Sequence, residues 1–468
     1  MISPRDLRAS PDTYREKEVQ AIARWILAGD SGSVVGLAGC GRSNLLNFLS
    51  HRPEVLSGYL SSALRVVVIP VDLHNLPASD ASTLYRVILR SFYWVREGFE
   101  QNIRERVKGL YEQTWTINDP FVSQSALYEV LFAFRSPPTR VVLVLNHFDQ
   151  FFEETNARLL NTLRGLRDQF KEILSFIVGM QQDIAYVSDR DNLGDVYELL
   201  DNHVCWVGAM AESDARHVIA QTTYSAAKQP SESEIKQILQ FSGHFPALLN
   251  TIVRWWLQSQ LPLDKWLTVL RNEPRFEYRL ARMWNGLSGE EQFALSAVRQ
   301  WQEKEAKEKS SEKALKQLNE EHTLTLNKLL DKGVCIRRGK GWHIRGELLT
   351  DYIRRVGPRG KGRIRLHGEG QEIYQGLTRL QNLPPQEETL LRFLIKQPYK
   401  RHTYDILIDT VWSEDEAGKI GITRSNLQQL VSMLRRKIEV NNSEPRYIIS
   451  WRSAKEGGYQ FYPEGRPE

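Results

Sequence analysis

Residues 33–50, SVVGLAGCGRSNLLNFLS, hold the residue types and the spacing best suited to chemistry in this chain. Gly36, Gly39 and Gly41 interrupt an apolar run and lead into Arg42, Ser43 and Asn44, after which Leu45, Leu46 and Leu49 recur at helical spacing. Set against G-x-x-x-x-G-K-[ST], the stretch supplies Gly36, Gly41, Arg42 and Ser43, with arginine at the lysine position. Glycines let successive backbone N–H groups converge on an anion, and a helix starting there adds the positive end of its dipole. Ser43 is then placed to reach a magnesium ion. The alternative is a glycine-rich turn from strand to helix that holds no ligand. Cys40, inside the loop, is either an oxidation-sensitive thiol or a small residue that fits the turn.

Such a loop needs a strand before it and a helix after it. Val34 and Val35 supply the strand. Ahead of it, Val19, Ile22, Ala23 and Ile26 form one helix face, and Gly29 marks its end. Further apolar runs, RVVVIPVDL, VVLVL (residues 141–145) and ILSFIVGM (residues 173–180), alternate with helical segments. This order predicts a parallel sheet covered on both faces, with ligands at the carboxyl ends of its strands. The VVLVL run ends on Asn146, His147, Phe148 and Asp149.

The 468 residues suit about three domains at roughly 150 residues each. A net charge of +5 is too small to argue for nucleic acid by itself. Cys40, Cys205 and Cys335 are far apart, which suggests neither a metal site nor a disulfide framework, and a reducing cytoplasmic setting is expected. No signal peptide and no run long enough to span a bilayer is read, so no membrane partner is expected.

The run YREKE (residues 14–18), then VVGLAGCGRSNLLNFL, VVLVLNHFDQF and LLNTLRGLRDQFKEILSFIVG, resembles the P-loop ATPases of the STAND and AAA+ group. The resemblance spans the first 270 residues. It implies an α/β fold, a P-loop NTPase parallel sheet over residues 1–210 with a helical lid over 211–272. It also implies ATP or ADP, with magnesium at Ser43, held near Tyr14, Arg15, Gly36, Gly39, Cys40, Gly41, Arg42, Ser43 and Asn44. In the lid, FSGHFPALLN would bring His244 and Pro246 near the phosphates; otherwise that segment is a helix-to-helix turn with His244 half-exposed.

The departures from the family are specific. Arginine replaces the phosphate-binding lysine at Arg42, and a planar fork is no substitute for a compact ammonium. Asn146 and His147 stand where the family has an acidic pair, so the magnesium shell loses charge and water loses its orienting carboxylate. The arginines commonly found after the next strand would fall near Met180, Gln181 and Gln182. These losses predict a degenerate ATPase that holds nucleotide with little hydrolysis. Asp149 is either a compensating carboxylate or a helix cap.

Beyond the lid, LSGEEQFALSAV, a charge-rich run, LTLNKLLDKG, the hairpin VCIRRGKGWHI and ELLTDYIRRV predict a winged helix over residues 275–356. Arg337, Arg338 and Lys340, with Trp342 beside them, could follow DNA phosphates. They head a basic stretch that runs through Arg345, Arg354, Arg355, Arg363 and Arg365; the alternative is a solvated face. Residues 357–372 are expected to be a basic linker.

Residues 373–468 resemble the DNA-binding domain of OmpR-type response regulators through LPPQEETLLRFL, YDILIDTVW, LRRKIE, SEPRYIIS and GGYQFYP. Leu427, Leu430, Val431, Leu434 and Ile438 form one helix face, and Arg424, Gln428, Ser432, Arg435 and Arg436 the other, suited to double-stranded DNA. Arg452 and Lys455 are expected at the wing tip. No receiver domain is read. The favoured function is a nucleotide-binding regulatory switch with DNA-binding winged helices. The alternatives are a pseudo-ATPase scaffold in a bacterial conflict or defence complex, with a protein partner or self-association, and an active STAND ATPase that oligomerises on ATP.

Overall fold

The structure is a computed structural model. It describes residues 10–60, 64–136, 138–155, 157–184, 194–259, 261–305, 311–356, 363–367, 372–375, 378–380, 383–412, 423–440, 442, 444–452 and 456–466. The chain divides into two compact units. The first comprises Met1–Val269, Pro274–Gly286 and Asp331–Val334; the second comprises Leu270–Glu273, Leu287–Leu330 and Cys335–Glu468.

The valine- and leucine-rich runs of the first unit form β1 (Gly32–Val35), β2 (Arg65–Asp72), β3 (Thr139–Asn146), β4 (Leu174–Met180) and β5 (Val204–Trp206). Their order is β2-β3-β4-β1-β5, and every pairing is parallel. This is the parallel sheet covered by helices that the sequence pattern predicts. Continuous β-branched runs can be buried on both faces only when helices cover both, and β1 and β4 are buried at every residue. Register brings the strand ends together: Val35 pairs with Met180, and Asp72 with Asn146.

Helix α1 (Arg42–His51) follows β1 directly. Among the described residues, three α-helices lie between β2 and β3, among them α2 (Ala81–Val95) and α3 (Gln101–Thr114), which the sequence pattern did not resolve. Leu84, Ile88 and Phe92 of α2 enter the core of the sheet.

Residues 211–272, expected to form a lid, contain helices Glu212–Thr223 and Glu232–Ser242, followed by α4 (Pro246–Gln258). Ser231 and Glu234 form the expected capping box. Glu234 also accepts a hydrogen bond from Trp256 Nε1 at 2.9 Å. Despite the cost of its partial burial, the hydrogen bonds from the Ser231 backbone and Trp256 pull its carboxyl down to about 2. A folded value below the unfolded one contributes stability that is present above pH about 4.3 and is lost as pH falls toward the folded value. Glu234→Ala should therefore destabilise this unit by about 1–2 kcal/mol at neutral pH, with the difference from wild type shrinking toward pH about 3. Thermal melts across pH would check this.

In the second unit, helices Gly289–Glu305 and Ser311–Asp331 precede the hairpin of β6 (Cys335–Arg338) and β7 (Gly341–Ile344) and the helix Glu347–Val356. This is the helix–helix–hairpin–helix order expected of a winged helix. Gly341 faces the ring of Trp301 so closely that a Cβ there would collide with it. The stretch expected as a plain linker is partly a strand: β8 (Ile364–His367) pairs with β9 (Glu372–Gln375), which pairs with β10 (Thr378–Arg379). Ile364 and Ile373 are buried in the core of the C-terminal domain, which gives the apolar side of β8 a place to pack.

That domain continues with helices Pro385–Lys396 and Tyr404–Val411, then α5 (Arg424–Ile438). Strands β11 (Arg401–Thr403), β12 (Ile448–Arg452) and β13 (Gly457–Phe461) form a sheet in the order β11-β13-β12. Among the described residues, no helix is long and apolar enough to cross a membrane.

Candidate phosphate site and winged-helix surfaces

The turn after β1 is shaped by its glycines. Gly39 and Gly41 have φ of 86° and 92°, a region that side chains disfavour. A Cβ on Gly36 would meet Cys40 Sγ at 2.5 Å and the Val207 carbonyl at 2.7 Å. Gly36 N–H donates to the Met180 carbonyl (3.1 Å) and Cys40 N–H to the Leu37 carbonyl (3.1 Å), closing the loop at the start of α1. Cys40 is buried, and burial pushes its thiol up, so it stays protonated and packs against Gly36. Of the two readings of this cysteine, the geometry favours the small residue that fits the turn.

Arg15 braces the loop from behind. Its own backbone lies in the left-handed region with φ of 53°. Its N–H donates to Asp214 Oδ2 at 3.0 Å, while its guanidinium donates to the carbonyls of Cys40 (2.6 Å) and Gly208 (3.0 Å) and to Glu18 (3.1 Å). Tyr14 is buried, with its ring edge-on to Phe48 at 5.1 Å. Both residues were expected to touch the nucleotide. Their burial makes them supports of the loop instead of its lining.

Arg42 opens α1 and is only 7 % exposed. Its Nη1 lies 3.9 Å from Asp149 Oδ2, and its Nε and Nη1 make no hydrogen bond. Burial lowers its pKa. Asp149 sits in the first turn of the helix Phe148–Glu154, but it does not cap it. It accepts the N–H of Gln181 at 2.5 Å instead, bridging the ends of β3 and β4. Burial raises the Asp149 carboxyl despite the Arg42 charge beside it.

Ser43 Oγ lies 3.5 Å from Asn146 Oδ1, which also accepts the His147 N–H (3.1 Å). His147 has φ of 60°, and its Nδ1 is 2.7 Å from Asp72 Oδ1. Its ring stacks near His74, with centroids 4.7 Å apart. Asn44 is half-buried one residue further along α1.

From the lid, Pro246 stands over Gly41, where a Cβ would approach its Cγ to 2.9 Å, and Ala247 N–H donates to the Gly39 carbonyl at 3.1 Å. His244 is half-buried with φ of 63°, its Nδ1 3.3 Å from the Met210 carbonyl. The segment is thus a helix-to-helix turn whose proline also meets the loop. The ends of β1, β3 and β4 and the start of α4 therefore converge on one turn of backbone amides.

In the second unit, Arg337, Arg338 and Lys340 are exposed on the hairpin of β6 and β7. Trp342, expected beside DNA, is buried and donates to Asn319 Oδ1 at 2.8 Å, so it anchors the hairpin. Arg354 and Arg355 are not free cations: both pair with Asp351, at 3.6 and 3.3 Å, and Asp351 also receives Arg271 in a bidentate pair. Arg363 pairs with Glu464 at 3.3 Å.

On α5, Arg424, Gln428 and Arg436 are exposed and Ser432 is half-buried along one face. Arg435 is turned elsewhere. Its Nε and Nη2 donate to the Ile448 carbonyl at 3.0 and 2.6 Å, which clamps α5 to the wing strand β12. Glu439 reinforces that join by accepting the N–H groups of Arg446 (2.8 Å), Tyr447 (2.9 Å) and Ile448 (3.1 Å). Arg435, expected to face DNA, is here a strut. Glu439 gave no signal in the sequence because its donors are backbone groups. Arg452 is exposed at the end of β12, and Lys455 lies outside the described residues.

Residues 379–461 match the family described as transcriptional regulatory protein, C terminal. No curated protein matches the chain. Among solved structures, the chain is similar to the ORC2 protein of Aeropyrum pernix (ADPNP-ADP complexes) at 13% identity and a TM-score of 0.38, covering 73% of this chain and 94% of that one. Cdc6p from Pyrobaculum aerophilum gives 13% identity and a TM-score of 0.33 over 73% of this chain and 94% of that one. A Walker-type ATPase of Pyrococcus abyssi gives 12% and 0.41, over 73% of this chain and 95% of that one.

Proposed function

We propose that the first unit binds ATP or ADP without sustained hydrolysis, and that the winged helices bind duplex DNA, making the chain a cytoplasmic, nucleotide-responsive regulator. The observation that carries the nucleotide reading is the buried Arg42 guanidinium at the start of α1, with two N–H groups lacking hydrogen-bond partners. An oxyanion fits such donors, beside the loop amides and the helix N-terminus. A magnesium ion fits less well, because the pair that would ligate it, Ser43 Oγ and Asn146 Oδ1, is neutral. A bound nucleotide would supply its phosphates to the loop. Arg42 and Ser43 would hold them, Arg15 would keep the loop in shape, and Pro246 would carry the loop's state into the lid.

Slow turnover follows from the strand ends. Asn146 carries no charge, and His147 Nδ1 is engaged with Asp72, so neither offers the carboxylate that orients a water. With excess ATP and magnesium, the full chain should release fewer than about one phosphate per molecule per hour. Rapid, repeated turnover that disappears in Arg42→Ala would refute this reading. The scaffold reading gains support from Arg354 and Arg355, which are held in ion pairs with Asp351 within the second unit.

A further inference from the structure

A cavity of about 310 Å³ lies in the first unit between α2 and α3, away from the phosphate loop. Thr83, Arg86 and Arg90 of α2 and Tyr111 and Thr114 of α3 line it, together with Trp115 just beyond. Arg86 and Arg90 stand four residues apart, which places two like charges on one helix face, an arrangement that is unfavourable without a counter-charge. None of the residues lining the cavity is acidic. The carboxylate nearest in sequence, Asp80, caps the helix through Thr83 N–H (3.0 Å) and Thr83 Oγ1 (2.7 Å) and also feels the Arg86 charge, so it offsets part of one of the two cations and leaves Arg90 without a counter-charge in the lining.

Both guanidinium groups retain donors. The Nε atoms of Arg86 and Arg90 are buried and make no hydrogen bond. Arg86 Nη2 donates to the Trp115 carbonyl, and the Arg90 guanidinium lies over the Trp94 ring, 4.8 Å from its centroid. Thr114 Oγ1 donates to the Leu110 carbonyl at 2.7 Å, so its hydroxyl proton is taken. The charged recognition in the cavity is cationic, beside the neutral Tyr111 hydroxyl and Trp115 indole. Its apolar wall is aromatic: Trp115 is 55 % exposed, and Tyr111 stacks on Tyr93 at 4.4 Å.

We infer that this cavity binds a small aromatic anion, a planar ring bearing a phosphate or carboxylate, with the charge on Arg86 and Arg90 and the ring against Tyr111 and Trp115. The volume lies at the low end for small-molecule sites and suits one such molecule. Paired arginines match a planar or tetrahedral oxyanion through charge-assisted hydrogen bonds, and an aromatic wall takes a ring face. The site bears on the rest of the unit because α2 follows β2 closely, and Asp72 at the end of β2 holds His147 beside the phosphate loop.

The test is titration of the full chain with 2-naphthyl phosphate, 2-naphthoate and the neutral 2-naphthalenemethanol, followed by calorimetry and tryptophan fluorescence. At least one of the anions should saturate and bind about tenfold or more tighter than the neutral compound. Arg86→Gln with Arg90→Gln should remove about tenfold or more of that affinity, while Arg42→Ala leaves it unchanged. The inference is overturned if neither anion saturates by about 1 mM, or if the neutral compound binds as tightly. It is equally overturned if Arg42→Ala abolishes binding and the double variant does not. The comparison of charged and neutral probes uses the wild-type chain, so it decides even where the double variant fails to fold.

Discussion

Arg42→Ala should weaken ATP and ADP binding by about a hundredfold, measured by calorimetry on the full chain. The guanidinium is buried, begins α1 and keeps Nε and Nη1 without hydrogen bonds. A charge-assisted hydrogen bond to phosphate from such a position is worth about 1.5–3 kcal/mol, and each 1.4 kcal/mol is tenfold. The alanine also leaves the half-buried Asp149 without the cation beside it, so no positive charge offsets that carboxyl next to the phosphates. Asp149→Asn should act in the opposite direction. It removes the partner 3.9 Å away that competes for Arg42, so nucleotide should bind more tightly than in wild type. If both substitutions weaken binding alike, Arg42 is not the group that meets the phosphates and Asp149 is not its competitor.

This pair also shows why the site was only partly legible in the sequence. The loop could be read because glycine spacing dictates backbone shape: Gly39 and Gly41 must adopt positive φ wherever the chain goes next. The strands could be read because fully buried parallel strands leave continuous apolar runs. What Arg42, Asp149 and Arg15 do with their charges could not, because their partners are remote. The Arg15 backbone N–H reaches Asp214, 199 residues away, and its guanidinium the Cys40 carbonyl, 25 residues away. A carbonyl acceptor carries no residue-type signature at all, so a clamp of that kind leaves no pattern to find.

The second unit illustrates the same limit and one missed signal. The apolar face of α5 was evident from its spacing, and its five predicted core residues are buried. Strand β8 was hidden because its charged, glycine-rich surroundings read as linker, whereas its pairing with β9 and the burial of Ile364 decide its structure. The pairing of Arg354 and Arg355 with Asp351 was readable: Asp351 lies three and four residues before them on one helix, the spacing of facing side chains. Counting basic residues along the chain ignored that geometry.

The same distinction between charge present and charge presented sets the expected behaviour of α5 on DNA. Replacing both Arg424 and Arg436 by alanine should weaken duplex binding by about a hundredfold and flatten the dependence of log K on log salt by about two, one for each phosphate that is no longer neutralised. Both side chains are exposed, and Arg424 also lies over the Tyr404 ring, 5.4 Å from its centroid, so the double substitution should cost about 0.5–1 kcal/mol from that contact, less than the loss expected at Arg435. Arg435→Ala should behave differently. It removes the bond from α5 to the Ile448 carbonyl and exposes part of the packing over Tyr459, where the guanidinium sits 5.5 Å from the ring centroid. The cost is about 2 kcal/mol of stability in the C-terminal domain, because a buried carbonyl loses its donor. Any loss of DNA affinity in Arg435→Ala should then track loosening of the wing and leave the salt slope near its wild-type value. Filter binding across salt concentrations, paired with thermal melts, separates the two classes. An unchanged affinity in the Arg424→Ala, Arg436→Ala protein would remove α5 as the DNA-facing element, and a salt slope reduced in Arg435→Ala without loss of stability would return that arginine to the DNA surface.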